Sequence, residues 1–258
     1  MSRPVFRFDR AIVREPAPSV VDGISSGGTP PDYARLADEH RSYVAALRAA
    51  GVRVEVLAPL PAFPDSIFVE DAAFVLPKGA VLLSPGAPSR TGEAAAIVPA
   101  IEQYFGAVER VEAGMIDGGD ILVLPDVILV GLSARTDQEG AECFADWARR
   151  VGRTVRLVDT PAGSLHFKSG CSLLDEALVL ATPDAAAPGL FAGLEVVVTA
   201  EGEANAANAI RVNDQLLVSA DAPRTAAILE RRGFTVVPVA TREIEKLDAG
   251  LSCMSLRW

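Results

Sequence analysis

Amphipathic stretches that end at a glycine and lead straight into a short β-rich run recur along this chain. One is Leu47-Arg-Ala-Ala-Gly51-Val-Arg-Val-Glu-Val-Leu57, and it returns at Tyr104-Phe-Gly106-Ala-Val-Glu-Arg-Val111. Further copies are Ala148-Arg-Arg-Val-Gly152-Arg-Thr-Val-Arg-Leu-Val158, a weaker Phe191-Ala-Gly193-Leu-Glu-Val-Val-Val198, and Leu229-Glu-Arg-Arg-Gly233-Phe-Thr-Val-Val-Pro-Val239. Glycine suits a helix C-terminus because the backbone there turns left-handed. Between these glycines, paired apolar runs read as hairpins: Glu70–Leu76 with Ala80–Leu83, both halves of Ile121–Val130, and both halves of Ala209–Val218. Asn213-Asp214 is a good two-residue turn for the last of them. The spacing also predicts a helix over Tyr33–Ala50, where Leu36, His40, Val44 and Leu47 share a face.

A second register mark accompanies the first. Arg90-Thr91, Arg135-Thr136 and Arg224-Thr225 each fall after a second strand and before the next helix, with the threonine placed as an N-cap. The pattern therefore predicts five ββαβ-like units of roughly 40–55 residues, with the first and last segments of the chain completing one unit together. Units that cannot bury their own faces must pack on neighbours, and five around an axis close an α/β propeller. No Pro/Gly/Ser linker divides the chain, so a single domain over 1–258 is expected. An open doubly wound sheet is the competing architecture. The tight strand pairs and the lack of a Gly-x-Gly-x-x-Gly turn argue against it.

Composition narrows the function. Half of the 258 residues are apolar and the formal net charge is −10. Disorder is excluded by the first figure, and the second disfavours a nucleic-acid or anionic-membrane surface. No apolar run reaches membrane-spanning length, and the first residues lack the apolar segment of a secretory signal. The three cysteines form no Cys-x-x-Cys spacing, so reduced thiols in a cytoplasm are expected.

The repeat makes a geometric prediction. Each unit's polar anchor begins the strand nearest the axis: Asp65, Glu70 and Asp71; Asp117 and Asp120; His166; Asn205 and Asn208; and Cys253. A thiol becomes a nucleophile when something holds it as thiolate, and an imidazole is the usual device. Only His40 and His166 are available, and His40 belongs to the predicted helix, so Cys253 and His166 are the expected pair. Several carboxylates, one imidazole and one thiol at a hub suit a cationic, planar substrate. Cys143 and Cys171 fall on a helix and beside a strand, where inert thiols are the ordinary case.

Five motifs carry a family resemblance. Asp65-Ser-Ile-Phe-Val-Glu-Asp71, Ile116-Asp-Gly-Gly-Asp-Ile121, Gly131-Leu-Ser-Ala-Arg-Thr136, Leu165-His-Phe-Lys-Ser-Gly-Cys171 and Leu251-Ser-Cys-Met-Ser-Leu-Arg257 occur in order. Together they resemble the dimethylarginine dimethylaminohydrolases, which belong to the guanidine-modifying penteins and fold as five-bladed α/β propellers. Arginine and agmatine deiminases typically carry His-x-Asp at the histidine motif, whereas this chain has His166-Phe167-Lys168. The resemblance implies hydrolysis of methylated arginines to citrulline and di- or monomethylamine. Cys253 would be the nucleophile, His166 the acid and base, and Asp117 the support of the histidine. It implies substrate contacts at Asp65, Glu70 and Asp71, carboxylate ligands at Arg90 and Arg135, and a lid at Ser19–Pro31. Arg224 shares their register but reads as structural. No metal or organic cofactor is implied. The expected partners are a small cationic substrate and a second copy of the chain, with no nucleic acid and no membrane. Two other readings stay open: a related hydrolase of arginine or citrulline, and a non-catalytic propeller that binds a partner.

Overall fold

The computed structural model describes residues 3–258. The first blade takes β1 (Arg10–Arg14), α1 (Tyr33–Ala49) and β2 (Arg53–Leu57). The second takes β3 (Ala73–Leu76), β4 (Gly79–Leu82), α2 (Val98–Phe105) and β5 (Glu109–Arg110). The third takes β6 (Ile121–Val123), β7 (Ile128–Leu132), α3 (Gln138–Arg150) and β8 (Val155–Asp159). The fourth has β9 (Cys171–Asp175), β10 (Leu178–Ala181) and β11 (Glu195–Val198), and the fifth β12 (Ile210–Val212), β13 (Gln215–Ser219), α4 (Pro223–Arg231) and β14 (Thr235–Val239). A short α5 (Arg242–Glu245) then leads to β15 (Leu256–Arg257).

These strands form five three-stranded sheets of one design: an inner strand antiparallel to the middle one, and an outer strand parallel to it. The parallel step needs a crossover, which the helices supply in four of the five units. In the first blade β1 pairs with β15 antiparallel and with β2 in parallel, so the two chain termini share one sheet as the repeat predicts. Inner strands of neighbouring blades touch, as β15 does β3 and β9 does both β6 and β12.

Five apolar cores lie between successive blades and close the ring. Ile12 and Leu256 of the first blade pack with Val75 and Ile101 of the second. Phe74 and Val81 meet Phe144 and Trp147 of the third, and Leu129 meets Phe167 and Val179 of the fourth. Leu180 packs with Leu216 and Leu229 of the fifth, and Leu217 returns to Val13, Leu36 and Leu47 of the first. A blade pulled out of the ring exposes both its faces, and each buried Leu, Ile or Phe is worth about 1.5–3 kcal/mol of transfer free energy. The architecture is thus a five-bladed α/β propeller held by its inter-blade seams.

Local signals hold with two exceptions. Gly51, Gly106, Gly152, Gly193 and Gly233 all have positive φ, from 69° to 89°. Asn213, at φ 56°, makes the β12–β13 turn, and its amide also donates to the carbonyls of Phe8 and Ala50, pinning the N-terminal segment. The first exception is the fourth unit, which reaches Gly193 through turns rather than a helix. Pro188 removes an N–H and biases Ala187 away from helical backbone, so no helix propagates there. The second concerns the threonines. Asp137 caps α3 by accepting from Gly140 N–H, Thr225 lies inside the first turn of α4, and Thr91 ends a 3-10 turn well before α2.

Candidate active site

Each inner strand is entered through a 3-10 turn: Val69–Asp71, Gly118–Asp120, Phe167–Ser169, Ala204–Asn208 and Ser252–Met254. These turns touch one another in a ring around the axis, the Val69–Asp71 turn meeting both the Gly118–Asp120 and the Ser252–Met254 turns. The polar anchors sit in them or immediately before them, except Asp65, which lies one turn earlier in Pro64–Ile67. The turns divide their side chains: Val69, Phe167 and Met254 join the inter-blade cores, while polar residues such as Asp71, Asn208 and Ser252 bond to neighbouring turns.

His166 Nε2 lies 2.9 Å from Asp117 Oδ2, both side chains buried. Asp117 Oδ1 accepts from Gly86 N–H at 2.8 Å, so both carboxylate oxygens are used. The approach depends on the glycines of Asp117-Gly-Gly-Asp120. A Cβ on Gly119 would lie 2.5 Å from His166 Nδ1, and one on Gly118 would collide with the Glu70 carbonyl oxygen. Burial opposes a charged imidazole, yet Asp71, Asp117 and Asp120 outweigh it and hold His166 up to about 9. The imidazolium is therefore favoured at neutral pH.

Asp71 faces both sides of this arrangement. Its Oδ2 accepts from Arg90 Nη1 at 2.6 Å and its Oδ1 from Gly119 N–H at 2.9 Å. Burial pushes its carboxyl up, but His166 and Arg90 pull it below the usual range. Cys253 is buried, and three effects drive its thiol up to about 12: burial first, then the charges of Glu70 and Asp71. Burial and the neighbouring carboxylates thus favour the protonated thiol. A cation arriving between Cys253 and the carboxylates removes two of those three effects.

Glu70 is the joint of the opposite side. Its Oε1 accepts from Lys168 Nζ at 2.5 Å, its Oε2 from Ser252 Oγ at 2.9 Å, and Arg257 Nη2 stands 3.7 Å away. Asn208 completes this layer by donating to the Lys168 carbonyl and Ser252 Oγ and accepting from Ser252 N–H. The backbone just before Cys253 is therefore held from the fifth blade.

The arginines differ. Arg90 is buried, and its guanidinium donates to Asp71, to both Glu93 oxygens and to the Phe68 carbonyl, which leaves it little capacity for a ligand. Arg135 is half-buried, and among the described residues its guanidinium makes no hydrogen bond or ion pair. Asp65 meets the Ser19–Pro31 loop: it accepts from Ile24 N–H at 2.9 Å, and burial holds its carboxyl above the usual range. Ser26 in that loop bonds both oxygens of Asp248. The loop is pinned at its root, while Gly27 and Gly28 stand exposed at φ 134° and 115°.

Sequence reasoning gave Asp120 little weight and Lys168, Glu93 and Ser252 none. Asp120 is fully buried, takes the hydroxyls of Ser133 and Thr136 on one oxygen, and accepts from Phe167 N–H on the other, which fixes the loop carrying His166. Its signal was present as the second acid of Asp-Gly-Gly-Asp, but a turn explains that motif equally well. His40 lies on α1 as expected, buried, with its pKa driven down to about 4 by that burial. Cys171 is buried and burial raises its thiol further, as befits an inert cysteine. Asp71, Asp117 and His166 each offer a metal-ligating atom within 4.8 Å of one another. Those atoms already serve Arg90 and the His166–Asp117 pair, so an ion there would compete with existing bonds.

A closed ring of five three-stranded blades, four of them ββαβ, whose inner turns gather acids, an imidazole and a thiol is the pentein architecture. A family model described as N,N dimethylarginine dimethylhydrolase, eukaryotic, matches residues 32–179. The N(G),N(G)-dimethylarginine dimethylaminohydrolase of Pseudomonas aeruginosa is 37% identical over 97% of this chain and 100% of its own. That of Streptomyces coelicolor is 33% identical over 96% of each chain. The chain belongs to the dimethylarginine dimethylaminohydrolase family. Among solved structures, a mutant of the Pseudomonas aeruginosa protein complexed with citrulline superposes with a TM-score of 0.95, covering 98% of this chain and 100% of that one at 37% identity. The N-terminal domain of the cyanobacterial arginine dihydrolase ArgZ shares the fold at 19% identity, with a TM-score of 0.84 over 96% of this chain and 97% of that one.

Proposed function

We propose that this protein hydrolyses Nω-methylated arginines, asymmetric dimethylarginine and monomethylarginine, to citrulline and di- or monomethylamine. The observation that carries the reading is electrostatic: a buried neutral thiol and a buried imidazolium share the field of Asp71, which a guanidinium would complete. The relative bound to citrulline supports the product class.

The substrate guanidinium enters between Glu70, Asp71 and Cys253 and offsets the carboxylates that keep the thiol protonated. The thiol then loses its proton to water, and the thiolate forms a C–S bond to the guanidinium carbon. His166 gives its proton to the departing amine as the C–N bond breaks, leaving an S-linked thiouronium. Neutral His166 next takes a proton from the attacking water. The C–S bond breaks, the second proton of that water passes to the departing sulfur, the ureido group of citrulline forms, and the thiol and imidazolium return. Asp117 holds the imidazole ring throughout. Arg135 is the candidate ligand of the substrate carboxylate, because it is the arginine with donors to spare; Arg90, bound to Asp71 and Glu93, acts by holding Asp71 in place. Asp65 ties the Ser19–Pro31 loop, which closes over the bound amino acid.

On this reading residues 1–258 act as one catalytic domain, and a homodimer is the expected assembly, to be checked by sedimentation. Three free cysteines favour a reducing cytoplasm. Among the described residues, no helix is long and apolar enough to cross a membrane. The test is citrulline release from asymmetric dimethylarginine beside arginine. Cys253→Ser should lower release about 10³-fold or more. Equal or faster turnover of arginine would overturn the substrate assignment, and unchanged release in Cys253→Ser would overturn the mechanism.

A further inference from the structure

Beyond the hub turns the five inner strands enclose a cavity of about 450 Å³ that takes no part in the reaction described above. Ala73–Leu76, Ile121–Val123, Cys171–Leu173, Ala209–Arg211 and Ser255–Trp258 form its wall. Its floor is the layer of Glu70, Lys168, Asn208 and Ser252, whose mutual hydrogen bonds separate it from Asp71, Asp117 and His166, none of which lines it. Pockets of this volume hold small organic ligands.

Its charge is the reverse of the protein's. Glu70 is the only acid among the lining residues, while Arg7, Lys78, Arg153, Arg211 and Arg257 are among the cations, in a chain of net charge −10. Among the described residues, Lys78, Arg153 and Arg211 make no ion pair within 4.0 Å; Arg153 and Arg211 donate only to backbone carbonyls. Two polar atoms of the wall, Arg153 Nε and Ser172 Oγ, are buried with no hydrogen-bond partner. Between the cations the surface is apolar and aromatic: Phe6 and Phe8 lie under Arg211 and Arg257, with Leu122, Leu173 and Trp258 beside them. Concentrated positive charge raises the local concentration of anions, and an apolar wall rewards a ligand that brings a hydrocarbon or aromatic body with it.

We propose that this axial cavity is a second binding site, taking a small amphipathic anion: an apolar body carrying one carboxylate or phosphate. The head group meets the guanidiniums and ammonium of the rim, and the body lies along Phe6, Phe8 and Leu122. The site stands whether or not the hydrolase reading does, since none of its rim residues belongs to the hub.

The probe is 1-anilinonaphthalene-8-sulfonate, titrated by fluorescence, with decanoate and decyl phosphate as competitors whose relative strength sorts the two head groups. One dye should bind per chain, saturably, and at least one competitor should displace it. Lys78→Glu combined with Arg7→Ala, both side chains on the rim and outside the hub, should weaken dye binding at least tenfold while leaving citrulline release unchanged; Arg7 gives up only its exposed pair with Asp214, so the melting temperature should change little. Three results overturn the proposal: no saturable binding, affinity in the double variant within twofold of the unmodified protein, or displacement of the dye by asymmetric dimethylarginine, which would place it at the hub.

Discussion

Blades two and five carry the same Arg-Thr step at the same point of the repeat, and the two arginines have opposite surroundings. Arg90 is buried and ion-paired to Asp71 and Glu93 at 2.6 and 2.5 Å. Arg224 leaves 64% of its side chain exposed and pairs with Glu203 at 3.0 Å. The repeat fixes where the backbone places the residue, and the acids that its own blade brings against it decide what the residue does. Beside Arg90 stands the acid-bearing turn of the hub; beside Arg224 stands a surface turn whose Glu203 receives the N–H groups of Arg224 and Thr225 at the start of α4. In blade three Arg135 holds the same register with its guanidinium unpaired among the described residues, which makes it the member of the set open to a ligand.

Substitutions should separate these corners, the largest effect first. Arg90→Ala leaves Asp71 and Glu93 as buried, uncompensated carboxylates and should cost about 3–5 kcal/mol in urea unfolding. A loss under 1 kcal/mol would mean the cluster is wet and the contrast with Arg224 is false. Arg135→Ala removes donors to a charged ligand, so it should raise KM for dimethylarginine by roughly 10–150-fold, matching about 1.5–3 kcal/mol, with little change in unfolding. An unchanged KM would move the carboxylate contact elsewhere.

Glu203→Ala removes the side-chain cap of α4 and should cost about 0.5–2 kcal/mol. This cap carries a pH signature. Burial raises the Glu203 carboxyl, but the bonds from Thr225 and Arg224 hold it down to about 2, below its ordinary 4.5. A depressed acid stabilises fully above 4.5 and loses that contribution as pH falls toward 2. The stability gap between the unmodified protein and Glu203→Ala should accordingly be constant near neutrality and close across that window. A gap that persists at pH 2 would assign the cap to something other than the ionised carboxylate. Arg224→Ala should be the mildest change, about 0–1 kcal/mol, because its charge is largely in water.

The same contrast explains how much was legible beforehand. Helix-ending glycines, the Asn213-Asp214 turn and the strand pairs are local, and each appears where the pattern places it. Cys253, His166, Asp117 and Asp71 could be gathered at one hub from the repeat alone, because equal register means equal distance from the axis. Partnership between distant turns was not legible. Glu93, three residues on, sets Arg90 apart from Arg135 and Arg224, which have Gln138 and Ala227 at that place, but its commitment to Asp71 arises only when two turns of the same blade meet. Asp120 was hidden for the same reason: a buried acid satisfied by Ser133, Thr136 and the Phe167 amide looks, in one dimension, like any acid after two glycines. The missing helix of blade four was visible in Pro188 but masked by the strength of the surrounding repeat.

The pairing of Ile12 with Leu256 ends three residues from Cys253. Clasp and proposed nucleophile therefore share one segment, and the pairing that places it unites strands from the two ends of the chain. A molecule whose ring stands open has its sulfur away from the imidazole and the acids, and remains chemically silent. Turnover in this enzyme doubles as a report that the circle has shut.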